Sequence, residues 1–172
     1  MRALRTITWA SLFMGMLAAG CGDDGATEAT ATGAVSFEHH ECAACGMIVR
    51  EQPAPRGQLI HRDGTRAHFC AISDLAVYVG APSPHGAPTS IYVEVMAPDA
   101  TPDDLSTDER SWSAVDDVTF VVGSFERPVM GEPVLTFSTE EEGRAAAARL
   151  DGRAIGWEGL LTELARRADE PH

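Results

Sequence analysis

Two cysteines separated by two residues, Cys42 and Cys45, are the side chains best suited to chemistry, and Gly46 and Met47 follow them directly. A C-x-x-C turn brings two thiolates within reach of one ion, and a neighbouring thioether sulfur adds a soft ligand. Cys70, ahead of a predicted helix, is compatible with a ligand, a disulfide partner or a buried apolar side chain. This pattern is typical of a metal or redox site.

The residues around the motif separate the kinds of chemistry that a C-x-x-C pair supports. A c-type haem requires histidine directly after the second cysteine, where this chain has Gly46. A thiol–disulfide oxidoreductase places the pair before a helix, whereas Ile48 and Val49 predict a strand over residues 46–51. Structural zinc requires four ligands, which the three cysteines and one histidine could supply. The candidate histidines are His39, His40, His61 and His68.

Cuprous copper fits the same residues, because Cu(I) is soft and accepts both thiolate and thioether sulfur. Met47 would be a third sulfur beside the cysteine pair, and Met130 lies in a loop rich in proline and glycine, over residues 126–133. Met96, at the end of a predicted strand, is expected in the core. The residues alone therefore favour copper over zinc and leave redox chemistry open.

The first twenty residues have the pattern of an export signal. Arg2 and Arg5 precede an apolar run over residues 7–17, and small residues then lead into Cys21. This ending resembles a bacterial lipobox, in which Cys21 becomes the lipid-bearing first residue, and an ordinary secretory signal is the alternative. Residues 21–36 are small and polar, so we predict a lipidated cysteine and a flexible linker. The protein is expected to be membrane-anchored outside the cytoplasm.

The charge of the chain argues against two kinds of partner. All 13 basic residues are arginine, against 26 acidic residues, which gives a formal net charge of −13. Such an acidic protein is not expected to bind nucleic acid, nor to adhere to anionic lipid through its charge.

The order of predicted elements repeats once. Residues 57–62 and 65–69 predict strands, and a helix over residues 70–79 and a strand over residues 90–96 follow. An acidic loop over residues 97–110 separates these elements from a second series. That series has strands at 117–123, 133–137 and 153–155, a helix to Leu150 capped by Ser138 or Thr139 with Glu142, and a final leucine-containing helix. We predict an α+β domain over residues 37–167, with two similar ββαβ halves at about 42–97 and 111–167.

Several separated motifs, taken together, resemble the NosL family, the copper-binding lipoproteins that help to mature nitrous-oxide reductase. The resemblance covers residues 42 to about 160. The motifs are CAACGM at 42–47, PAPRGQL at 53–59, HFCAISDLAVYV at 68–79, IYVEVM at 91–96, VDDVTFVVGS at 115–124 and PVMGEPVLTF at 128–137.

The resemblance implies a periplasm-facing lipoprotein that holds Cu(I) and passes it to nitrous-oxide reductase through a membrane transporter complex. The family's fold is also a pair of ββαβ units. Its ligand motifs fall on Cys42, Cys45, Met47 and Met130. We expect a copper chaperone and not an enzyme. The alternatives are a lipoprotein domain stapled by zinc or a disulfide, and a thiol–disulfide oxidoreductase that uses Cys42 and Cys45.

Overall fold

The computed structural model describes residues 33–53, 55–103, 106–124 and 132–168. Within them, seven strands and three helices form two antiparallel sheets with helices packed against them. The strands are β1 (Gly57–His61), β2 (Arg66–Phe69), β3 (Pro88–Glu94), β4 (Trp112–Ala114), β5 (Thr119–Gly123), β6 (Val134–Phe137) and β7 (Gly152–Ile155). The helices are α1 (Ile72–Gly80), α2 (Glu140–Arg149) and α3 (Trp157–Ala168), with short 3-10 turns at Val49–Glu51 and Val115–Asp117.

The two halves share one topology, as the sequence predicted. In the first half, β1 pairs with β2 and β3 in the order β2-β1-β3, and β4 adds to the edge of β3. In the second half, β5 pairs with β6 and β7 in the order β6-β5-β7. Each half is therefore a ββαβ unit whose first strand is central. This confirms the predicted fold class.

One large apolar cluster joins the halves. It combines residues of β1, β2 and α1 with Phe120 and Val122 of β5 and with Leu160 and Leu164 of α3. Val121 lies between these two residues of β5 and points to the opposite face, into a smaller apolar cluster beneath α2. Both faces of β5 are therefore buried, in keeping with its largely apolar sequence TFVVG. Burial of both faces fixes the two halves as one folded unit.

The close packing of α2 on its sheet depends on a glycine. A Cβ at Gly143 would lie 2.3 Å from the Thr119 Cγ2 atom, which is far inside van der Waals contact. The small side chains that follow, Ala146 and Ala147, bury the same face of the helix. The helix begins with the predicted capping box, in which Thr139 accepts from the Glu142 N–H and Glu142 accepts from the Thr139 N–H.

Three details differ from the sequence prediction. Residues 46–51 do not form a strand, because Ile48 makes a single bridge with Glu41 and the chain then turns into the 3-10 segment. Strand β4, which has only three residues, was not predicted. The folded part also begins before residue 37. Ala34 and Val35 are buried, and the Val35 backbone exchanges two hydrogen bonds with the Gln58 side chain.

Candidate metal centre

The turn that carries Cys42 and Cys45 is closed by its own backbone. The Cys42 N–H donates to the Met47 carbonyl and the Gly46 N–H donates to the Cys42 carbonyl, each at 2.8 Å. Gly46 has a φ of +76°, a left-handed conformation that glycine adopts without strain. The Ala43 N–H donates to the His68 carbonyl at 2.8 Å, and this bond fixes the turn against the end of β2.

The end of β2, which holds this turn, also positions the third cysteine. Cys70 lies directly after β2 and two residues before the start of α1, and its N–H donates to the Cys42 sulfur at 3.5 Å. Sequence reasoning left its role open. The structure places Cys70 with the C-x-x-C pair, because the turn and the start of α1 meet at the same end of β2.

Four donor atoms converge at this point. The Sγ atoms of Cys45 and Cys70 are 3.4 Å apart. The Asp74 Oδ2 atom lies 3.5 Å from the Cys70 sulfur and 4.0 Å from the Cys42 sulfur. The ligand atoms of all four residues lie within 4.8 Å of one another. Asp74 was missed, although it stands four residues after Cys70 within the helix that the sequence predicted over residues 70–79, and in a helix this spacing places two side chains on one face.

The cluster has one open side. Cys42 and Cys70 are buried and Asp74 is half-buried, whereas Cys45 is exposed to solvent. None of these three cysteines forms a disulfide in the structure. An ion or a partner protein would therefore reach the buried sulfurs from the side of Cys45.

The cluster concentrates negative charge. Hydrogen bonds from the Cys70 thiol and from backbone N–H groups lower the pKa of Cys42, although burial opposes them. The pKa of Cys70 is raised, because its thiol proton bonds to Cys42 and because the group is buried. Burial, and then the nearby Cys42 charge, raise the pKa of Asp74. Thiolate charge is thus held beside a carboxyl group in a partly buried site, and a cation would relieve this repulsion.

The histidines that were candidate ligands lie outside the four-residue group. His61 is engaged elsewhere, since its Nδ1 atom contacts the Gly86 carbonyl and its Nε2 atom contacts the Tyr78 hydroxyl. His39 and His40 are exposed. The His40 ring packs edge-on against His68, with 3.9 Å between centroids.

His68 is joined to the cysteine turn through its backbone, since its carbonyl accepts from the Ala43 N–H. It is buried, and its Nδ1 atom has no hydrogen-bond partner among the described residues. Burial, followed by the charges of His40 and Arg66, lowers the pKa of His68 to about 4. It is therefore a neutral ring, and it packs against Phe37 and His40.

The methionines divide into three cases. Met47 is half-buried and packs against the large apolar cluster, directly after the cysteine turn. Met96 is buried beneath α2, where the sequence predicted a core residue. Met130 lies outside the described residues, as does Cys21, so both remain predictions from the sequence.

Similarity to known proteins agrees with this geometry. The NosL family model matches residues 35–165, which is most of the chain and all of the cysteine cluster. The chain belongs to the NosL family. This identification confirms the resemblance carried by the sequence motifs.

Individual proteins and solved structures are similar to this chain. The copper-binding lipoprotein NosL of Stutzerimonas stutzeri is 25% identical over 179 residues, which cover 98% of this chain and 88% of that protein. The crystal structure of the copper chaperone NosL from Shewanella denitrificans superposes with a TM-score of 0.61 and 25% identity, covering 74% of this chain and 94% of that one. The solution structure of apo-NosL from Achromobacter cycloclastes gives a TM-score of 0.43 and 27% identity, over 59% and 82% of the two chains.

The described part of this NosL protein has no helix that is both long enough and apolar enough to span a membrane.

Proposed function

We propose that the protein binds Cu(I) at the cluster of Cys42, Cys45 and Cys70 and delivers it to a copper-requiring partner. The observation that carries this proposal is the convergence of three sulfurs at one end of β2, two of them buried and one exposed. Copper binding and a chaperone role, named for its relatives, agree with this arrangement. The protein carries the ion without transforming a substrate.

The donor set suits a soft ion that must be released. Cu(I) prefers thiolate and thioether sulfur, and the Cys42 thiol, with its lowered pKa, is ready to bind as the thiolate. Because Cys45 is exposed, a partner's ligand can approach the ion at this position while Cys42 and Cys70 still hold it. Transfer can then proceed by exchange of one ligand at a time.

Met47 and Met130 are proposed as thioether ligands that complete the site. A conservative exchange tests them, because leucine matches the volume of methionine and lacks the sulfur. In an anaerobic Cu(I) titration of the reduced protein against a chelator, Met47→Leu and Met130→Leu should weaken binding. Met96→Leu, in the core beneath α2, is the matched control and should bind as the wild type does. Equal affinity in all four proteins would remove the thioether ligands from the proposal.

The proposed client is nitrous-oxide reductase, reached through its membrane transporter and assembly complex. Lipid on Cys21 would anchor the protein on the periplasmic side of the cell envelope. The test is transfer from the Cu(I)-loaded protein to the copper-free reductase, followed by the copper content of the reisolated enzyme. Cys45→Ala should transfer less copper than the wild type. Equal copper in the reductase with and without this protein would contradict the assignment of the client.

A thiol–disulfide oxidoreductase is less well supported by the same site. In that class a helix follows the C-x-x-C pair, whereas here the turn leads through one bridge residue into the 3-10 segment Val49–Glu51. Turnover with a disulfide substrate is the direct assay, and catalytic turnover by the wild type that Cys45→Ala lacks would favour the enzyme.

If a metal ion or a disulfide held the domain together, its removal would unfold the protein. The large apolar cluster spans both halves and consists almost entirely of apolar side chains other than the proposed ligands, so the reduced, metal-free protein should remain folded. Circular dichroism before and after chelation measures this. Cooperative unfolding on removal of metal would show a structural site.

A further inference from the structure

The first sheet contains one strand whose outer edge is only partly paired. Strand β3 has seven residues, and β4 pairs only with residues 92–94, at its end. In the strand order β2-β1-β3-β4, no other strand among the described residues lies on that side of β3. The chain leaves the sheet after Ala114 and enters the 3-10 segment Val115–Asp117. Residues 88–91 of β3 are therefore left with an open edge.

The pairing of β3 with β4 shows which backbone groups face this open edge. If β4 continued by one residue, Val115 would stand opposite Ile91, but Val115 turns into the large apolar cluster instead. The Val95 N–H donates to the Ser111 carbonyl on the β4 side. Because alternate residues of a strand direct their backbone groups to the same side, the N–H and C=O of Ile91 also face that side. A further extended segment can pair with them there.

A groove of about 390 Å³ runs along the open edge. Trp157, at the start of α3, and Ile91 give it an apolar wall that is continuous with the large apolar cluster. Asp116 and Glu158 also line the groove, and both are exposed to solvent. None of its lining residues in the described part of the chain is basic. The groove therefore combines an unpaired strand edge, an aromatic wall and negative charge.

We propose that this groove binds an extended, cationic segment of a partner protein, in which apolar residues alternate with arginine or lysine. The segment pairs with the Ile91 backbone as a continuation of β4. Its apolar side chains contact Trp157, and its basic side chains meet Asp116 and Glu158. Extended peptides add to sheet edges in this way, with main-chain hydrogen bonds supplying affinity and alternate side chains supplying specificity.

The charges on both sides select this occupant. A second copy of the chain, whose formal net charge is −13, would bring its own Asp116 and Glu158 to the same edge. Residues 22–32 of this chain contain three acidic residues and no basic one. Like charge disfavours both of these occupants, whereas a cationic segment is attracted to the groove.

The groove lies away from the metal centre. The cysteine cluster follows β2, and β1 lies between β2 and β3, which separates the two sites by about 10 Å or more across the sheet. In the register of the sheet, the last residue of β2 is aligned with Val93, whereas the groove runs from Ile91 towards the start of β3. A segment bound in the groove leaves Cys45 accessible. The proposal therefore does not depend on the proposed function.

Amide hydrogen exchange on the purified, reduced protein tests whether the edge is open. We expect fast exchange at Ile91 and slow exchange at Val93, which faces the same side and pairs with Ser113 of β4. Slow exchange at Ile91 in the free protein would overturn the proposal. If that protection grew with protein concentration, a second copy would be the occupant. If it did not, a segment of this chain would be the occupant.

A synthetic peptide is the probe for the partner segment. It is short, has capped ends and alternates valine with arginine, and the control peptide carries glutamate in place of arginine. NMR titration should shift the Ile91 amide and the Trp157 indole signals. Exchange at Ile91 should slow roughly 10-fold with peptide at ten times its Kd. The glutamate peptide should bind at least about 10-fold more weakly, and Cu(I) affinity should not change with either peptide.

Substitution of the two exposed acidic residues tests the charge of the groove. Asp116→Asn combined with Glu158→Gln should weaken binding of the arginine peptide at least about 10-fold, with a smaller difference at high salt. Glu140→Gln combined with Glu141→Gln, at exposed positions of α2, is the matched control with the same change in net charge. Thermal unfolding shows that both double variants fold.

Three results of the peptide experiments would overturn the proposal. These are no binding of the arginine peptide to the wild type, signal changes that lie outside the groove, and equal weakening in the two double variants. The last would show that the peptide responds only to net charge. A change in Cu(I) affinity on peptide binding would show instead that the peptide occupies the cysteine cluster.

Discussion

The two halves of the protein use equivalent helix starts for different purposes. In the second half, the residue before the helix is Thr139 and its third residue is Glu142, and the two form a capping box. In the first half, the equivalent positions are Ala71, which provides no side-chain cap, and Asp74, whose carboxylate contacts the cysteine sulfurs. The helix of the first half thus lacks a stabilising side-chain cap at the position where its Asp74 faces the metal centre.

The two halves also differ in the polarity of their buried side chains. Arg56 and Glu94 form a fully buried ion pair at 2.7 Å in the first half, and Gln58 and His61 are also buried there with hydrogen-bond partners. Among its described residues, the second half has fewer buried polar side chains, Thr136 and Glu163, and it relies mainly on apolar strands and a small-residue helix face. Buried polar networks that are fully paired hold side chains in one arrangement, which suits a half that must keep three sulfurs in place.

Oxidation should have the largest effect on the metal centre and act only in the first half. A disulfide oxidant such as oxidised glutathione would take two electrons from Cys45 and Cys70 and release two thiols, leaving one disulfide between sulfurs that are now 3.4 Å apart. Copper binding should be lost and should return on reduction.

Peptide mapping after alkylation of the oxidised protein identifies which two cysteines form the disulfide. The C-x-x-C spacing suggests Cys42–Cys45, whereas the structure predicts Cys45–Cys70. The cross-link should therefore persist in Cys42→Ser and disappear in Cys45→Ser. A bond between Cys42 and Cys45 in the wild type would contradict the arrangement of sulfurs described above.

Glu94→Gln should destabilise the protein by about 3–5 kcal/mol, because it leaves the buried Arg56 charge without its counter-ion. Chemical denaturation of the metal-free protein measures the free energy of unfolding. Glu140→Gln, which removes an exposed partner of Arg144 on α2, is the control and should cost at most about 0.5 kcal/mol. Similar losses in the two variants would show that the polar network of the first half is not important for stability.

Cys70→Ser should lower Cu(I) affinity by at least about 100-fold, more than the usual upper effect of losing an outer-shell group, because it removes a proposed ligand. The matched control is Ser138→Ala, at the equivalent position in the second half, which should leave copper binding unchanged. Competition titration with a Cu(I) chelator measures both. Retained affinity in Cys70→Ser would restrict the site to the C-x-x-C pair.

Thr139→Ala should cost about 1 kcal/mol of stability through loss of the capping box, with copper affinity unchanged. Thermal unfolding and a parallel copper titration measure the two quantities. Weaker copper binding in this variant would mean that the second half positions the ligands directly, and the division of roles between the halves would fail.

Short sequence motifs predicted the helices and strands whose conformation depends mainly on neighbouring residues. The Thr139–Glu142 pair predicted the start of α2, and the largely apolar run over residues 117–123 predicted the strand observed as β5. The same reasoning failed over residues 46–51, where apolar Ile48 and Val49 suggested a strand. There the tertiary hydrogen bonds of the cysteine turn impose a single bridge and a 3-10 turn.

The metal centre was only partly predictable for a related reason. The C-x-x-C pair is a local motif, whereas Cys70 and Asp74 join it through pairing of the turn with the end of β2, which no local spacing reveals. One feature of the sequence did indicate Asp74, which is its position four residues after Cys70 in the predicted helix. Met130 remains a prediction from sequence, and a ligand from the second half would link the two units at the copper.

Copper K-edge X-ray absorption of the protein loaded with one equivalent of Cu(I) tests the central claim most directly. We predict a first shell dominated by sulfur, which loses a sulfur neighbour in Cys70→Ser and is unchanged in Ser138→Ala. A shell without sulfur, or one that no cysteine substitution alters, would show that copper binds elsewhere and would contradict the assignment of the cysteine cluster as the copper site.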